Sequence, residues 1–431
     1  MSLHQFISEI LNINSEDIED LLQISQSDGS ILIKVKLVVK PASCPYCKGP
    51  VFIHGYTSKH LKHSVLANRN CIICFYRRRY RCKSCCISFS EANPFSFKNE
   101  NLTHETKINI LKDLKNTGET YTIVAKRYHV STQTVLRVFD KHVNLPRKVM
   151  PEVLSIDEHY FPNSNYDSLY CTLLMDFRTG ELIDVLPDRK KLSVTKYFSD
   201  VKYSTRDIKT LKSELDNIKY ISMDLYDNFR DIFRNLLPRA IICADSFHVL
   251  KHLTDDFDQV RKNCIRQTEN DALKTLLIKF KFVFNHSQFL DNEGRYNRTL
   301  GRYANYRDIR DILFDNFPKL EKAYNLKELY ISFNATSDIQ TAADRFDEIR
   351  QYFLDSGINE YDEFITLLRN WKIEIINSFT RIDGRRINNS YIESKNRQLE
   401  HLMNNANGFV NFERTRNRIM YCLNKNDTYL F

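Results

Sequence analysis

Glycine is scarce in this chain of 431 residues, which contains only ten, together with ten prolines and a single tryptophan. Neither G-x-G-x-x-G nor G-x-x-x-x-G-K-[ST] occurs, so the loops that bind dinucleotides and nucleoside triphosphates are not predicted. No segment approaches the roughly 20 apolar residues that a membrane helix needs, and residues 1–6 lack the features of a signal peptide. We therefore expect a cytoplasmic protein with no membrane partner.

Cysteine, in contrast, is plentiful for a cytosolic chain, because disulfides are rare in that compartment. Eleven cysteines are present, and two pairs, Cys44/Cys47 and Cys82/Cys85, have C-x2-C spacing next to turn-forming residues. Two such turns place four thiolates around one tetrahedral Zn²⁺ ion. The sequence therefore predicts a zinc ribbon over residues 41–95, with these four cysteines as the ligands of a structural zinc ion.

Two other cysteine arrangements compete with this assignment. Cys86 directly follows Cys85 and could replace it as a ligand. Cys71 and Cys74 also have C-x2-C spacing, but their neighbours favour a strand, in which the thiols would pack as small apolar groups. We prefer Cys85 to Cys86, because it keeps the two-residue spacing of the pair.

The positive charge of the chain is concentrated in one segment. The net charge is +9, yet residues 51–150 carry +12, whereas residues 1–50 carry −2 and residues 151–431 carry −1. Local basicity of this size is typical of proteins that bind polyanions. The alternative is a solvated basic surface without a nucleic-acid partner.

Residues 119–139, within this basic segment, follow the pattern of a helix-turn-helix. The apolar residues Ile123–Ala125 are expected to pack the first helix, and Ser131 is a favourable N-cap for the second. Because recognition helices read base edges from their N-terminal residues, we predict a DNA-binding domain at 100–146. The candidate DNA contacts are Lys126, Arg127, Thr132, Gln133, Thr134 and Arg137. The alternative is a three-helix bundle with an ordinary polar face.

Hydrophobic spacing outlines the remaining secondary structure and predicts a multidomain α+β fold. Residues 6–27 have a helical apolar pattern, and residues 31–39 are typical of a strand. Beyond Pro151 the order becomes β-β-β-α-β-α-β, a meander followed by parallel crossovers. Residues 246–380 favour helix almost throughout, and a final helix is expected at 390–403.

Acidic residues fall at the ends of the predicted strands. Asp157 lies in the first strand, Asp224 ends the fourth, and Asp245 follows the fifth, three residues before His248. An RNase H-like sheet places its first and fourth strands side by side, so Asp157 and Asp224 would converge, and a packed helix could add Glu393. Three carboxylates can hold two Mg²⁺ or Mn²⁺ ions, which clamp the attacking and leaving oxygens in phosphoryl transfer.

These motifs occur in the order found in a known family. The chain resembles bacterial insertion-sequence transposases of the DDE class, and it is most similar to the ISL-three branch, which has an N-terminal zinc ribbon. The matching segments extend over nearly the whole chain: Cys44–Cys47, Arg78–Cys85, Phe89–Glu91, the helix-turn-helix, Ser155–Glu158, Asp224, Pro238–Val249, Asn389–Glu393 and Asn407–Arg416. Cys86 departs from the family pattern, in which a glycine is usual at that position.

The resemblance implies a definite domain organisation. An RNase H-like α/β catalytic core would comprise residues 151–249 and 381–431, and an all-helical insertion at 250–380 would interrupt it. A helix and a strand at 1–40 would precede the zinc ribbon and the helix-turn-helix domain. The insertion is expected to contact transposon ends or a partner subunit. Basic and aromatic residues interleave in its stretch 295–303, which indicates a DNA contact or, equally, a solvated helix face.

The resemblance also implies an activity and the residues that perform it. Such a transposase binds the terminal inverted repeats of an insertion sequence as a homodimer on double-stranded DNA. It cleaves at the transposon ends and joins the freed 3′-hydroxyl to target DNA. Asp157, Asp224 and Glu393 would be the catalytic acids, and Asp245 and His248 an accessory motif, with Asp245 as the alternative second ligand. The protein would lie in the bacterial cytoplasm, associated with the nucleoid.

Two further hypotheses belong to other classes of function. The chain could be a non-catalytic, sequence-specific DNA-binding regulator derived from a transposase. It could also be an RNase H-like nuclease of another pathway, although the N-terminal domains argue against this. The presence of every expected acid favours the active transposase.

Overall fold

The computed structural model of the protein describes residues 3–40, 43–66, 69–161, 168–285, 290, 293–406 and 411–431. The chain forms two compact units, the first comprising Met1–Pro146 with Gln398–Phe431 and the second comprising Arg147–Arg397. Both contain helices and strands, so the predicted α+β class is confirmed. Residues 407–410, which begin the last matching motif, lie outside the described residues.

The first unit contains helix α1 (Leu3–Leu11) and a five-stranded sheet. The strands are β1 (Ile18–Ser25), β2 (Ile31–Leu37), β3 (Val51–Leu66), β4 (Arg69–Cys82) and β5 (Ser88–Ser90). β2 and β4 are parallel neighbours, β1 and β3 pair antiparallel at the two sides, and β5 pairs with the end of β4. The predicted strand at 31–39 is thus confirmed. The hydrophobic core beside this sheet includes Ile31, Ile33, Val35, Ile73, Phe75 and Phe95.

The helix predicted across 6–27 was wrong beyond Leu11, because the chain then forms β1. Leu21 of β1 lies opposite Val35 of β2. The apolar spacing of this segment fits a helix locally, but short apolar runs do not distinguish helix from strand. Pairing with β2 decides the conformation, and it leaves Leu22 51% exposed.

Arg78 of β4 is fully buried and connects three parts of the first unit. Its guanidinium pairs with Glu19 and with Glu91, the latter at 2.9 Å, and donates to the carbonyl of Leu37 at 2.6 Å. Proteins tolerate a buried charge when it is paired and hydrogen-bonded. Arg78 therefore belongs to the interior, whereas the adjacent Arg79 is exposed.

Four helices complete the first unit: α2 (His104–Leu114), α3 (Tyr121–Arg127), α4 (Thr132–His142) and α15 (Phe412–Leu423). The first three confirm the helical pattern predicted after residue 102. The sequence placed residues 412–423 with the catalytic segment, whereas the structure packs α15 with these helices. Arg414 of α15 pairs with Asp140 of α4, and the hydroxyl of Tyr421 donates to the carbonyl of Leu111 at 2.9 Å.

The second unit is built on a sheet with the strand order β10-β9-β6-β7-β8. These strands are β6 (Val153–Tyr160), β7 (Tyr170–Asp176), β8 (Leu182–Leu186), β9 (Tyr220–Met223) and β10 (Ile241–Ala244). β6, β7 and β8 form an antiparallel meander, while β9 is parallel to both β6 and β10. Helices α5 (Lys191–Ser204) and α6 (Asp227–Leu236) follow β8 and β9 in the chain. The predicted strand order, with the first and fourth strands adjacent, is therefore observed.

Helices dominate the rest of the second unit, as predicted. They are α7 (Ser246–Gln267), α8 (Asp271–Lys279), α9 (Tyr306–Asn316), α10 (Pro318–Thr336), α11 (Ile339–Leu354), α12 (Asp362–Asn370), α13 (Lys372–Asn377) and α14 (Ser390–Ala406), the last extending into the first unit. Among the described residues, none of the helices is both long and apolar enough to cross a membrane.

Two short hairpins interrupt these helices. They are β11 (Arg295–Asn297) with β12 (Arg302–Ala304), and β13 (Arg381–Ile382) with β14 (Arg385–Arg386). The stretch 295–303 is therefore a hairpin and not a helix face. Gly301 allows its turn, because the φ of 65° at this position is unfavourable for other residues.

Replacing Arg78 with leucine should destabilise the first unit, because Glu19 and Glu91 would lose their buried partner. We expect a loss of about 3–5 kcal/mol, the range found when one member of a buried ion pair is removed. Faster amide hydrogen exchange along β4 would report it. Arg79→Leu is the matched control, since its side chain is exposed, and equal exchange in both variants would contradict the interior role of Arg78.

Candidate functional site

Acidic side chains gather at one edge of the sheet in the second unit. Asp157 lies in β6, Asp224 directly follows the adjacent parallel strand β9, and Asp245 directly follows β10. Parallel strands end at the same edge of a sheet, which brings together acids that are distant in the chain. Asp157 is 7% exposed and Asp245 is 1% exposed, so these two carboxyl groups are withdrawn from solvent, whereas the side chain of Asp224 is 24% exposed.

Asn389, a fully buried residue directly before α14, connects the acidic segments. Its side-chain amide donates to Asp224 Oδ1 at 3.2 Å and to the carbonyl of Ile156 at 3.1 Å. Its backbone N–H donates to Asp245 Oδ1 at 3.2 Å, and its carbonyl accepts from the N–H of Glu393 at 3.0 Å. One side chain and its peptide groups therefore hold β6, the ends of β9 and β10, and the start of α14 in register.

Helix α14 contributes two more residues to this edge. Asn396 Nδ2 donates to Asp157 Oδ2 at 2.6 Å, while Asp157 Oδ1 accepts from the N–H of Glu158 at 2.7 Å. Glu393 lies three residues before Asn396, on the same side of the helix. Its negative charge helps to raise the pKa of Asp245, so the third predicted acid lies near Asp245.

Burial and mutual repulsion raise the pKa of two of these acids. Burial raises the pKa of Asp157 to about 9, and the charge of Asp224 contributes to the increase. Burial likewise raises the pKa of Asp245 to about 6, although the hydrogen bond from Asn389 acts in the opposite direction. A bound cation would offset the repulsion between carboxylates that causes part of these shifts.

Asp224, Asp245 and His248 form a group whose potential ligand atoms all lie within 4.8 Å of one another. His248 Nε2 lies 3.1 Å from Asp224 Oδ2. Asp245 Oδ2 is buried without a hydrogen-bond partner among the described residues, as expected of an oxygen that would bind a metal ion. Carboxylate-rich sites suit Mg²⁺ and Mn²⁺. The residues at this edge therefore fit a divalent cation.

A second potential metal site lies in the first unit, where Cys44, Cys47, Cys82 and Cys85 converge. Their four Sγ atoms lie within 4.8 Å of one another, with Cys47 and Cys82 3.4 Å apart and Cys44 and Cys85 3.6 Å apart. Backbone N–H groups, first that of Cys85, lower the pKa of Cys82 to about 6. Four thiols so arranged, one already favoured as thiolate, match a tetrahedral Zn²⁺ site.

Backbone geometry separates Cys85 from Cys86, the alternative ligand. Cys86 has a φ of 57°, a left-handed backbone conformation that lets the loop turn. Its side chain is exposed and does not belong to the group of four thiols. Lys48 has a φ of 61° at the same position in the first loop, directly after Cys47. Cys86 therefore occupies a turn position where glycine is favoured, and Cys85 is the thiol that joins the group.

Cys71 and Cys74 lie in β4, as predicted from their strand-like neighbours. Both are buried, and burial raises the pKa of Cys71 to about 11. A thiol that is neutral at physiological pH and surrounded by apolar residues packs as a small hydrophobe.

Helices α3 and α4 place the candidate DNA contacts mainly on exposed surface. Four residues separate the helices, and Ser131 accepts a hydrogen bond from the N–H of Thr134 as the N-cap of α4. Gln133 and Arg137 are exposed, and Thr132 is partly exposed. The expected helical order and cap are present.

Two details of these helices differ from expectation. Ile123 is 46% exposed and does not pack the first helix, whose buried residues are Val124 and Ala125. Arg127 pairs with both Asp113 and Glu119. Its charge is thus partly balanced within the protein, whereas Lys126 on the same helix is exposed.

Comparison with protein families identifies the chain. A family model described as a transposase, of the DDE class and ISL3 (ISL-three) type, matches residues 154–419, which is more than half of the sequence. The protein belongs to the ISL-three family of DDE transposases. No curated protein matches the chain. In this transposase the family match includes Asp157, Asp224, Asp245 and Glu393 and excludes the cysteine group and helices α2–α4.

Sequence reasoning did not assign a role to the two asparagines that contact the acids of the transposase. Asn396 could have been found from its spacing, because residues three apart on a helix share a face and Asn396 follows Glu393 by three. The role of Asn389 had no such signal, since its partners lie on three different strands or strand ends. Only the folded arrangement reveals that contact.

A matched pair of substitutions tests the thiol assignment in the transposase. Cys86→Ser should retain about one zinc ion per chain, because Cys86 is not in the thiol group. Cys85→Ser should lower zinc affinity at least about tenfold, because only three thiolates would remain. Metal analysis after dialysis against a chelator measures both. Retention of zinc by Cys85→Ser and its loss by Cys86→Ser would reverse the assignment.

Binding of Mn²⁺ to the transposase should release protons at neutral pH. Because the pKa of Asp157 is raised to about 9, its carboxyl group is protonated at pH 7 in the metal-free protein and must lose that proton to bind a cation. Affinity should therefore increase with pH up to about 9. Titration calorimetry in buffers of different ionisation enthalpy counts the protons.

The proton count has two controls. Asp157→Asn should abolish the release assigned to this carboxyl group, whereas Asp200→Asn, which alters an exposed acid of the same unit, should leave it unchanged. Proton release that persists in Asp157→Asn would show that another group titrates.

Proposed function

We propose that the protein is an active transposase that binds the terminal inverted repeats of an insertion sequence and catalyses metal-dependent DNA cleavage and strand transfer. The observation that carries this proposal is the convergence of Asp157, Asp224 and Asp245 at one sheet edge, with Glu393 of α14 near Asp245. A non-catalytic DNA-binding protein would have no need to bury repelling carboxylates at one edge, since each such group costs stability.

The proposed catalytic core is RNase H-like and comprises residues 151–249 and the segment that begins at 381, with the helical region 250–380 as an insertion. The strand order of the sheet supports this proposal, because an antiparallel meander is followed by two parallel strands. The proposed zinc ribbon at 41–95 and helix-turn-helix domain at 100–146 precede this core.

Asp157, Asp224 and Glu393 are the proposed ligands of two Mg²⁺ or Mn²⁺ ions. Such ions, when bound, activate water or a 3′-hydroxyl as the nucleophile and stabilise the leaving oxygen. The acids supply negative charge at fixed positions, and Asn396 orients Asp157 through its hydrogen bond to Oδ2. Asp157 and Asp245 are buried, and the lower local dielectric strengthens the attraction between these carboxylates and a cation.

Asp245 and His248 are proposed to position Asp224. The imidazole of His248 contacts one oxygen of Asp224, and Asn389 contacts both Asp224 and Asp245. The pair could also contribute a ligand directly, because Asp224, Asp245 and His248 form a group of metal-binding size. Asp224 remains the preferred second catalytic acid, since it directly follows the strand beside β6.

The first unit is proposed to hold double-stranded DNA. Its four clustered thiols are the proposed ligands of a structural Zn²⁺, and α4 is the proposed recognition helix. Residues Thr132–Thr134 and Arg137 would read bases, while Lys126 would contact phosphates. Arg127 is a weaker candidate, because two carboxylates already balance its charge. A homodimer on DNA is proposed because two transposon ends must be joined.

A strand-transfer assay with the terminal repeats of the element tests this function. Asp157→Asn, Asp224→Asn and Glu393→Gln should each lower the rate at least about a thousandfold, because each removes a metal ligand worth several kcal/mol of transition-state stabilisation. DNA binding in a gel-shift assay should persist in all three variants.

Asp255→Asn is the matched control, since this exposed acid lies on α7 of the same unit. Activity retained in the three acid variants would contradict the catalytic assignment. DNA binding by the unaltered protein with no cleavage under any metal condition would favour a regulator derived from a transposase.

A further inference from the structure

Strand β4 carries basic residues to which the proposed function assigns no role. Arg77, Arg78, Arg79 and Arg81 lie within five consecutive residues of this strand. Side chains alternate between the two faces of a strand, so Arg78 lies on one face and the other three share the opposite face. Arg78 is buried and ion-paired, whereas Arg79 and Arg81 are exposed and Arg77 is partly exposed. The three that share a face are called the arginine stripe.

The strands beside β4 leave the arginine stripe open. Directly opposite residues of antiparallel strands share a face of the sheet. The residues opposite the stripe are uncharged and mostly small: Phe52, Gly55 and Thr57 on β3, and Ser88 and Ser90 on β5. The neighbouring strands therefore place no charged residue directly opposite the stripe, and Arg79 and Arg81 remain exposed.

The charges of the arginine stripe are not balanced within the protein. In the described part of the chain, Arg79 and Arg81 have no carboxylate partner, and Arg77 donates to the backbone carbonyl of Glu91 at 2.5 Å. Arg127 of α3 differs, since it pairs with two carboxylates. An anionic partner would thus meet three uncompensated positive charges at the stripe.

The arginine stripe is anchored at two points. Cys82, which directly follows Arg81, belongs to the group of four thiols, and Arg78 fixes the middle of the strand through its buried ion pairs. A strand held in this way presents its side chains at a constant spacing. This rigidity suits contact with a regular polyanion, because little conformational entropy is lost on binding.

We propose that the arginine stripe is a second DNA contact, which binds the phosphate backbone of duplex DNA without reading its sequence. Alternate residues of a strand lie about 6.8 Å apart, so the stripe spans about 14 Å. This length corresponds to about four phosphates along the axis of one DNA strand. The proposal rests on the proposed function, because it takes double-stranded DNA as the ligand.

The test measures binding of the full chain to a duplex of random sequence, about 30 base pairs long, over a range of salt concentrations. The variant Arg77→Gln/Arg79→Gln/Arg81→Gln should bind at least about tenfold more weakly at about 0.1 M salt. The plot of log association constant against log salt concentration should become shallower by about 2.7, since each lost phosphate contact removes about 0.9. Unchanged zinc content and unchanged amide exchange in β4 would show that the variant is folded.

Two comparisons make the result specific. Lys202→Gln/Lys209→Gln/Lys212→Gln removes the same charge from exposed positions of the second unit and should leave the slope unchanged. Arg137→Ala alters the proposed recognition helix and reports separately on that helix. An equal loss of slope in the lysine variant would overturn the proposal, because the effect would then come from net charge alone.

The outcomes separate this inference from the proposed function. If the stripe variant keeps the affinity and slope of the unaltered protein while Arg137→Ala weakens binding, the stripe is not a DNA contact but the proposed function stands. If the unaltered protein does not bind duplex DNA, both proposals are overturned.

Discussion

Repulsion between buried carboxylates is the constraint on which the rest of the second unit depends. Asp157, Asp224 and Asp245 share one sheet edge, where burial and neighbouring charge raise the pKa of the first and third. Such an arrangement would be unstable without donors, and Asn389 and Asn396 supply them. The sheet order places the acids together, while α14 provides Asn396 and the residue directly before this helix is Asn389. The fold of the second unit thus holds like charges at fixed positions, and a bound cation would offset their repulsion.

In the first unit, ion pairing determines which basic side chains remain available to an anionic partner. Arg78 and Arg127 are both paired with carboxylates, one in the interior and one near the surface. Arg79 and Arg81 extend from the other face of the same strand as Arg78. The net charge of residues 51–150 is therefore larger than the unpaired positive charge that a polyanion would contact. The positions of the unpaired basic side chains, more than their number, determine where DNA could bind.

Much of the fold followed from local patterns, and the exceptions have a common cause. The order of strands from β6 to β10 and the helices α2–α4 could be predicted, because their apolar spacing and caps lie within single segments. β1 and the hairpin of β11 and β12 could not, because each depends on pairing with another strand. A short apolar or basic run is compatible with either helix or strand until its partner is present.

The same distinction between local sequence patterns and tertiary contacts applies to the candidate sites. The sequence alone determined which residues could bind metal, since the C-x2-C pairs and the acids at strand ends are local features. Only the tertiary structure shows that Cys85, and not Cys86, lies with the other three thiols, because the backbone is left-handed at Cys86 and two of those thiols come from another loop. It alone revealed Asn389, whose partners come from separate strands. Residue type and spacing are properties of the sequence, whereas hydrogen bonds and the repulsion between carboxylates depend on distances that exist only after folding.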